Sequence, residues 1–323
     1  MIKIGLIGCG FMGTMHANCY KNIDGVKVVA VADLRREKAE EIADGAKIYE
    51  DGMDLINDAD VDVIDICLPT YLHSEYAIRA MEKVKYLFVE KPVALTNEQA
   101  QEMILAQKKT GCNVQVGQVI RFWDEYVELK KIVDSGEFGK VVNANFRRLS
   151  PIPTWGWKDW LLGDKFSGGA AQDLHVHDMD YVLSLFGRPE KFYSAKNTLG
   201  EANSYINTLM KYNDFVVSVE GTWGLPENHP FEATFRVVFE NATVENSGGQ
   251  FLCYTNGEIR KIEIVKKELS GGYKGGNISD LGGYYNELVY FTDRIKADEK
   301  IEKATLTEAS ASLEFVLEEI ANA

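Results

Sequence analysis

The first thirteen residues restrict this chain more than any other stretch. Ile2 to Ile7 is apolar and β-branched and reads as a strand, and Gly8-Cys9-Gly10-Phe11-Met12-Gly13 follows at once, with helix-forming sequence beyond it. In a strand-to-helix turn these glycines have separate uses. Gly8 allows the tight turn, Gly10 lets the backbone approach a pyrophosphate, and Gly13 lets the helix pack closely on the strand. The helix start then presents N–H groups and a positive dipole end to phosphates. Gly8, Gly10, Phe11, Met12 and Gly13 are therefore expected to hold a dinucleotide.

Strands and helices alternate through residue 120. Val26 to Ala32 is a second strand, and Asp33 ends it twenty residues after Gly13. A carboxylate there accepts both ribose hydroxyls and repels a 2′-phosphate, which favours NAD over NADP. Arg35 and Arg36 keep NADP possible, since either can pair with that phosphate or simply open a solvated helix. Val61 to Leu68 reads as an inner strand, closed by Pro69-Thr70, with His73 opening a helix to about Lys83. Leu68, Pro69, Thr70 and His73 fall on the sheet edge that carries Gly10, and so can line the nicotinamide half of the dinucleotide. His73 also reads as a hydrogen-bonded helix start. Tyr86 to Val89 is a buried strand that ends in Glu90-Lys91-Pro92. Neighbours in a strand point to opposite sides, which turns Lys91 to the ligand and leaves Glu90 as its structural partner beside the cofactor. Thr96 to Gln99 is a capping box for a helix to about Thr110, and Asn113 to Val116 is the next strand. This alternation predicts a parallel doubly wound sheet over residues 1–120.

The pattern changes over residues 121–323. Gln118 and Arg121, at and just after the last parallel strand, are expected to face a substrate. A helix from Tyr126 to Asp134 leads into a β run, Val141 to Leu149, and then into a loop with Trp155, Trp157 and Trp160. These three suit a substrate wall, having flat apolar faces and an N–H donor, and they suit a core or a subunit contact equally. Asp173 and His177 are i and i+4 in a helical segment that runs to Phe186, an acid and an imidazole on one face. Such a pair can move a proton near neutral pH. Asp173, His175, His177 and Asp178 are also metal-ligand types, but a helix points His175 away from His177, so no metal is expected. Glu190 to Ile264 alternates in short strands with turns and reads as a mainly antiparallel sheet, suited to substrate binding and subunit pairing. The glycine-rich run Ser270 to Gly283 reads as a loop, and Tyr284 to Lys296 and Thr305 to Ala321 as closing helices.

Composition narrows the partners. Among 323 residues the formal net charge is −14, which argues against binding a nucleic-acid backbone. No apolar run is long enough for a membrane span, and the N-terminus lacks a signal-peptide layout. The five cysteines are scattered without metal-like spacing, as expected of reduced thiols in a cytoplasm.

The glycine loop, the Pro69-Thr70…His73 stretch, Glu90-Lys91-Pro92, the Asp173…His177 pair and the late Thr305-Leu306-Thr307-Glu308-Ala309 segment occur in one order. Together they resemble the Gfo/Idh/MocA oxidoreductases, the family of glucose–fructose oxidoreductase and inositol dehydrogenase, over essentially the whole chain. The resemblance implies an α/β protein with an N-terminal Rossmann domain and a C-terminal α/β domain carrying an open, mostly antiparallel sheet, in homodimers or homotetramers. It implies that Lys91, Asp173 and His177 match the catalytic lysine, aspartate and histidine. The reaction would be hydride transfer between NAD(P) and a secondary hydroxyl of a sugar or cyclitol. Relatives that are NAD-dependent glycosidases, reductases of imines, enals or pyrroles, or non-catalytic dinucleotide sensors are the alternatives. Ala170 departs from the family pattern, where many members have a third glycine.

Overall fold

The computed structural model describes residues 1–199, 202–265, 267, 269–270 and 281–323. The expected loop from Ser270 to Gly283 lies largely outside the described residues.

The first half alternates as the sequence predicts: β1 (Ile2–Ile7), α1 (Phe11–Lys21), β2 (Val26–Ala32), α2 (Arg36–Ile42), β3 (Lys47–Tyr49), α3 (Gly52–Asp58), β4 (Val63–Ile66), α4 (His73–Met81), β5 (Tyr86–Glu90), α5 (Asn97–Thr110) and β6 (Asn113–Gly117). The strands form one parallel sheet in the order β3-β2-β1-β4-β5-β6, so the chain reverses direction between β1 and β4. Ligands of open α/β sheets sit at that reversal, beyond the strands' carboxyl ends. The short β3 and α3 were not legible, because three residues of strand show too little periodicity to stand out.

The glycines at the β1–α1 turn are enforced by contact. Gly8 has φ +94°, and a Cβ on it would lie 2.5 Å from the carbonyl oxygen of Cys67; a Cβ on Gly13 would lie 1.9 Å from that of Gly8. Any larger residue at either place would force β1, α1 and the end of β4 apart.

After β6 the chain builds α6 (Asp124–Ser135), β7 (Val141–Pro151), the one-turn α7 (Asp164–Ser167), α8 (Val176–Phe186), β8 (Lys191–Leu199), β9 (Ala202–Lys211), β10 (Val216–Leu225), β11 (Glu232–Phe239), β12 (Thr243–Ser247), β13 (Gln250–Tyr254), β14 (Ile259–Lys261), α9 (Gly282–Lys296) and α10 (Leu306–Asn322). Eight of these strands form a second sheet, β14-β13-β12-β11-β7-β10-β9-β8, antiparallel except for the β7–β10 pair. Its inner face carries Phe146, Val219 and Phe235, and its outer face the cross-strand pair Tyr193–Leu209, both exposed.

The two sheets share a core. Ile4, Leu6 and Phe88 of the parallel sheet belong to one buried cluster with Phe291 of α9, Tyr126 of α6 and Phe146 and Phe235 of the second sheet. The other face of the parallel sheet buries Ile64, Ile66, Leu87 and Met103 against Leu306 and Leu313 of α10. The last helix thus returns to the first sheet. Its start is fixed by a capping box between Thr305 and Glu308.

Candidate active site

A cavity of about 700 Å³ runs along the carboxyl ends of β1, β2, β4 and β5 and is closed opposite by residues 148–177. One end is built for a dinucleotide. Gly8, Gly10, Phe11 and Met12 form its floor, and no side chain caps the first turn of α1. An anion can therefore take that turn's place as cap. Asp33 stands at the wall with its side chain nearly buried. Its carboxylate accepts from the Cys9 amide at 2.9 Å and from the Arg35 amide at 2.8 Å, which fixes it beside the glycine loop. The Arg35 guanidinium donates to the same carboxylate from Nε and Nη2, both at 3.1 Å, and lies 5.7 Å from the Trp157 ring. Arg35 is thus paired with Asp33. The uncapped helix, the glycine cradle and the fixed carboxylate fit an NAD-type dinucleotide.

The other end gathers Lys91, Asp173 and His177. Strand β5 ends at Glu90, and the two residues at its tip diverge as alternation requires. Glu90 turns inward, 4% exposed, over Gly117, where a Cβ would come within 2.8 Å of its Oε1. Lys91 turns to the cavity, and its Nζ donates to the backbone oxygen of Asp173 at 2.7 Å and to Oδ1 at 3.1 Å. An ammonium has three protons, so one remains for a ligand.

Asp173 and His177 do not form the simple i, i+4 pair expected. Residues Ala171–His175 make a π-helical turn that runs into α8. The wider turn shifts the helical phase, and the Asp173 carboxylate reaches Lys91 instead of the imidazole. His177 borders the cavity, with Nδ1 buried and unpartnered. Burial, then the Lys91 ammonium and the Arg148 guanidinium, hold its pKa well below the ordinary histidine value. The ring is therefore neutral at neutral pH and able to accept a proton.

Of the residues expected at the cofactor or substrate, Leu68, Pro69, Glu90, Trp155, Trp157 and Trp160 border the cavity with those above. Gly13 serves packing behind it. Thr70 and His73 are each 1% exposed and lie off the wall. His73 places Nε2 2.7 Å from the carbonyl oxygen of Leu68 and Nδ1 2.8 Å from that of Pro92, between two edge turns, and its neutral ring donates to one of them. Gln118 is buried at 2% exposure and also lies off the wall. Arg121 is corrected most plainly: its guanidinium is taken by Asp180 at 2.7 and 2.8 Å and by Glu308 at 2.7 Å, which fastens α8 and α10 to the end of β6. A charge just past a strand looks like a ligand contact when its partner lies far along the chain.

Trp123, Arg148, Trp223, Phe231 and Tyr284 border the cavity without having been anticipated. Beneath it, His16 of α1 places Nδ1 2.8 Å from Asp65 and Nε2 3.1 Å from Glu90, all buried. Burial alone would lower the His16 pKa, but the Asp65 carboxylate and the Cys67 sulfur together outweigh it and hold the pKa well above the ordinary value. An aspartate inside the apolar run Val63–Ile66 was the available signal, since a buried charge needs a partner. His16, Asp65 and Cys67 bring ligand-type atoms within 4.8 Å of one another. They already satisfy each other by hydrogen bonds, as an internal strut does.

Fold and site together define a dinucleotide-dependent oxidoreductase architecture. Residues 2–118 match the oxidoreductase family with an NAD-binding Rossmann fold, and residues 126–245 match the Gfo/Idh/MocA C-terminal domain. The chain belongs to the Gfo/Idh/MocA oxidoreductase family. It is 38% identical over 216 residues to an inositol 2-dehydrogenase of Salmonella typhimurium, a match covering 64% of this chain and 61% of that protein's length. It is 32% identical to an uncharacterised oxidoreductase, YrbE, of Bacillus subtilis, covering 68% and 67% of the two chains. An Agrobacterium radiobacter oxidoreductase solved with NAD+, L-tartaric acid and magnesium has the same fold, with TM-score 0.87 and 18% identity over 99% of this chain and 96% of that one. A levoglucosan dehydrogenase solved with NADH and levoglucosan follows, with TM-score 0.85 and 20% identity over 99% and 96%.

Proposed function

We propose that this chain is an NAD-dependent dehydrogenase acting on a secondary hydroxyl of a sugar, sugar derivative or cyclitol. The observation that carries this reading is the neutral, cavity-facing His177 beside a Lys91 ammonium that keeps one N–H to give, at the carboxyl edge of a sheet whose glycine loop fits NAD. Its similarity to inositol dehydrogenases supports the substrate class. Residues 1–120 would hold the dinucleotide, and residues 121–323 the substrate and the subunit contacts.

NAD, when bound, supplies the acceptor for the hydride that leaves the carbinol carbon. His177 takes the hydroxyl proton from the same carbinol, so that a ketone, NADH and a proton result. Lys91 donates a hydrogen bond to the carbinol oxygen and stabilises the negative charge that grows there. Asp173 holds Lys91 in place through two acceptors, a positioning role in place of the histidine-orienting one expected. The Lys91 charge also keeps His177 unprotonated and ready as a base. Asp33 selects the unphosphorylated ribose, and Arg35, engaged by Asp33, is not offered to a 2′-phosphate.

We further propose a homodimer or homotetramer that pairs through the open face of the second sheet, in a cytoplasm. All five cysteines are free, and no helix among the described residues is long and apolar enough to cross a membrane. The test of function is reduction of NAD, read as reduced-nicotinamide absorbance, across inositols, aldoses and glycosides. Turnover of one polyol with NAD preferred over NADP supports the reading. NADH binding without oxidation of any secondary alcohol overturns it.

A further inference from the structure

All five tryptophans of the chain border this one cavity. Trp157 stands over Arg35, which Asp33 holds, and so belongs to the ribose end. At the catalytic end the π-helical turn sets polar and apolar groups side by side. Asp173 goes to Lys91, while Leu174, the next residue, packs in a separate apolar cluster with Leu161, Ala170 and Trp223, with Trp160 and Phe231 against them. Leu161, Leu174, Trp160, Trp223 and Phe231 all face the cavity. A continuous apolar and aromatic wall therefore adjoins the reacting corner.

Some polar groups nearby are committed, while Tyr284, with its hydroxyl, and the tryptophans, with their N–H groups, also border the cavity and suit the few hydroxyls of a sugar. Arg148 faces the cavity, but its Nε and Nη2 donate to Asp178 at 2.6 and 3.1 Å, and Nη2 also reaches the Tyr126 hydroxyl at 3.3 Å. The Ser150 hydroxyl donates to the Pro151 carbonyl oxygen at 2.8 Å. Lys91, Asp173 and His177 can serve the carbinol that reacts. A cyclitol carries a hydroxyl on every ring carbon, and those turned to the Leu161, Leu174 and Phe231 side would meet only carbon. A pyranose can instead lay its C–H face on a tryptophan ring, and an apolar substituent on it would cover the rest of the wall.

From this geometry we infer that the site takes a glycoside whose sugar ring carries an apolar or aromatic aglycone, in preference to a free inositol. The inference rests on the dehydrogenase reading for its reaction and on the wall for its ligand. Titration calorimetry on the NADH-loaded protein tests it with phenyl hexopyranosides of gluco, galacto and manno configuration, their methyl counterparts and myo-inositol. At least one phenyl glycoside should bind about tenfold tighter than its methyl counterpart and than myo-inositol, a ratio that even one well-buried methylene can give. Phe231→Ala should remove most of that preference, and Trp160→Leu serves where that variant does not fold. Myo-inositol or the methyl glycosides binding as tightly as every phenyl glycoside would overturn the inference. A phenyl preference without NAD reduction by any of these ligands would leave the wall's specificity standing and sink the dehydrogenase reading.

Discussion

Lys91 and His177 are placed so that the charge of one adds to burial in keeping the other unprotonated. The imidazole is held neutral by burial first and by the Lys91 ammonium next. In the dehydrogenase reading the acid limb of kcat/KM belongs to the free enzyme's base, and it should lie below pH 6.5, the usual histidine region. Replacing Lys91 by Met removes one of the two cations that lower His177, so the limb should move to higher pH. The rate should also fall by about a hundred- to a thousandfold, as when one donor to a developing oxyanion is lost. A pH–rate profile of Lys91→Met checks both; a limb that stays in place would mean that His177 is not the titrating base. That both reach the cavity was legible because each lies in a short motif at a strand or helix end. Their mutual arrangement was less so, because nothing local in the sequence announces the π-helical turn that sends Asp173 to Lys91.

At the scale of elements, the polar struts under the site decide which expectations succeeded. The glycine loop, the β5 turn and the alternation of strand and helix all rest on neighbours within a few residues, and these were readable. Arg121 was not, since its partners Asp180 and Glu308 lie 59 and 187 residues away. His16 between Asp65 and Glu90 joins α1, β4 and β5 in the same long-range manner. The Arg121–Asp180 pair is almost fully buried. Arg121→Ala leaves the Asp180 carboxylate without its partner, and removing one member of a buried pair costs about 3–5 kcal/mol. Denaturant unfolding should show that loss while substrate KM stays near that of the parent. A large rise in KM with unchanged stability would return Arg121 to the substrate site.

The whole molecule is two sheets on one core, with the cavity where the second half of the chain folds over the carboxyl edge of the first. Among the described residues, nothing covers Tyr193 and Leu209 on the outer face of the second sheet. Tyr193 and Leu209, 73% and 51% exposed, are directly paired across β8 and β9, and Ser218 and Asn145 continue the row through β10 and β7. A stable homo-oligomer needs about 800 Å² from each partner, and the proposed assembly would take that area from this face. In the proposed homo-oligomer, Leu209→Glu should shift the sedimentation coefficient to that of a monomer with NADH binding retained; an unchanged assembly would place the contact elsewhere. In the proposed reaction Lys91 and His177 perform the proton and charge chemistry while a separate end of the cavity holds the dinucleotide. The most direct measurement pairs steady-state NAD reduction with NADH titration for the parent, Lys91→Ala and His177→Ala. Turnover should fall by about a hundred- to ten-thousandfold in each variant, with NADH affinity close to the parent's. Parental turnover in either variant, or NADH binding lost in step with activity, would contradict it.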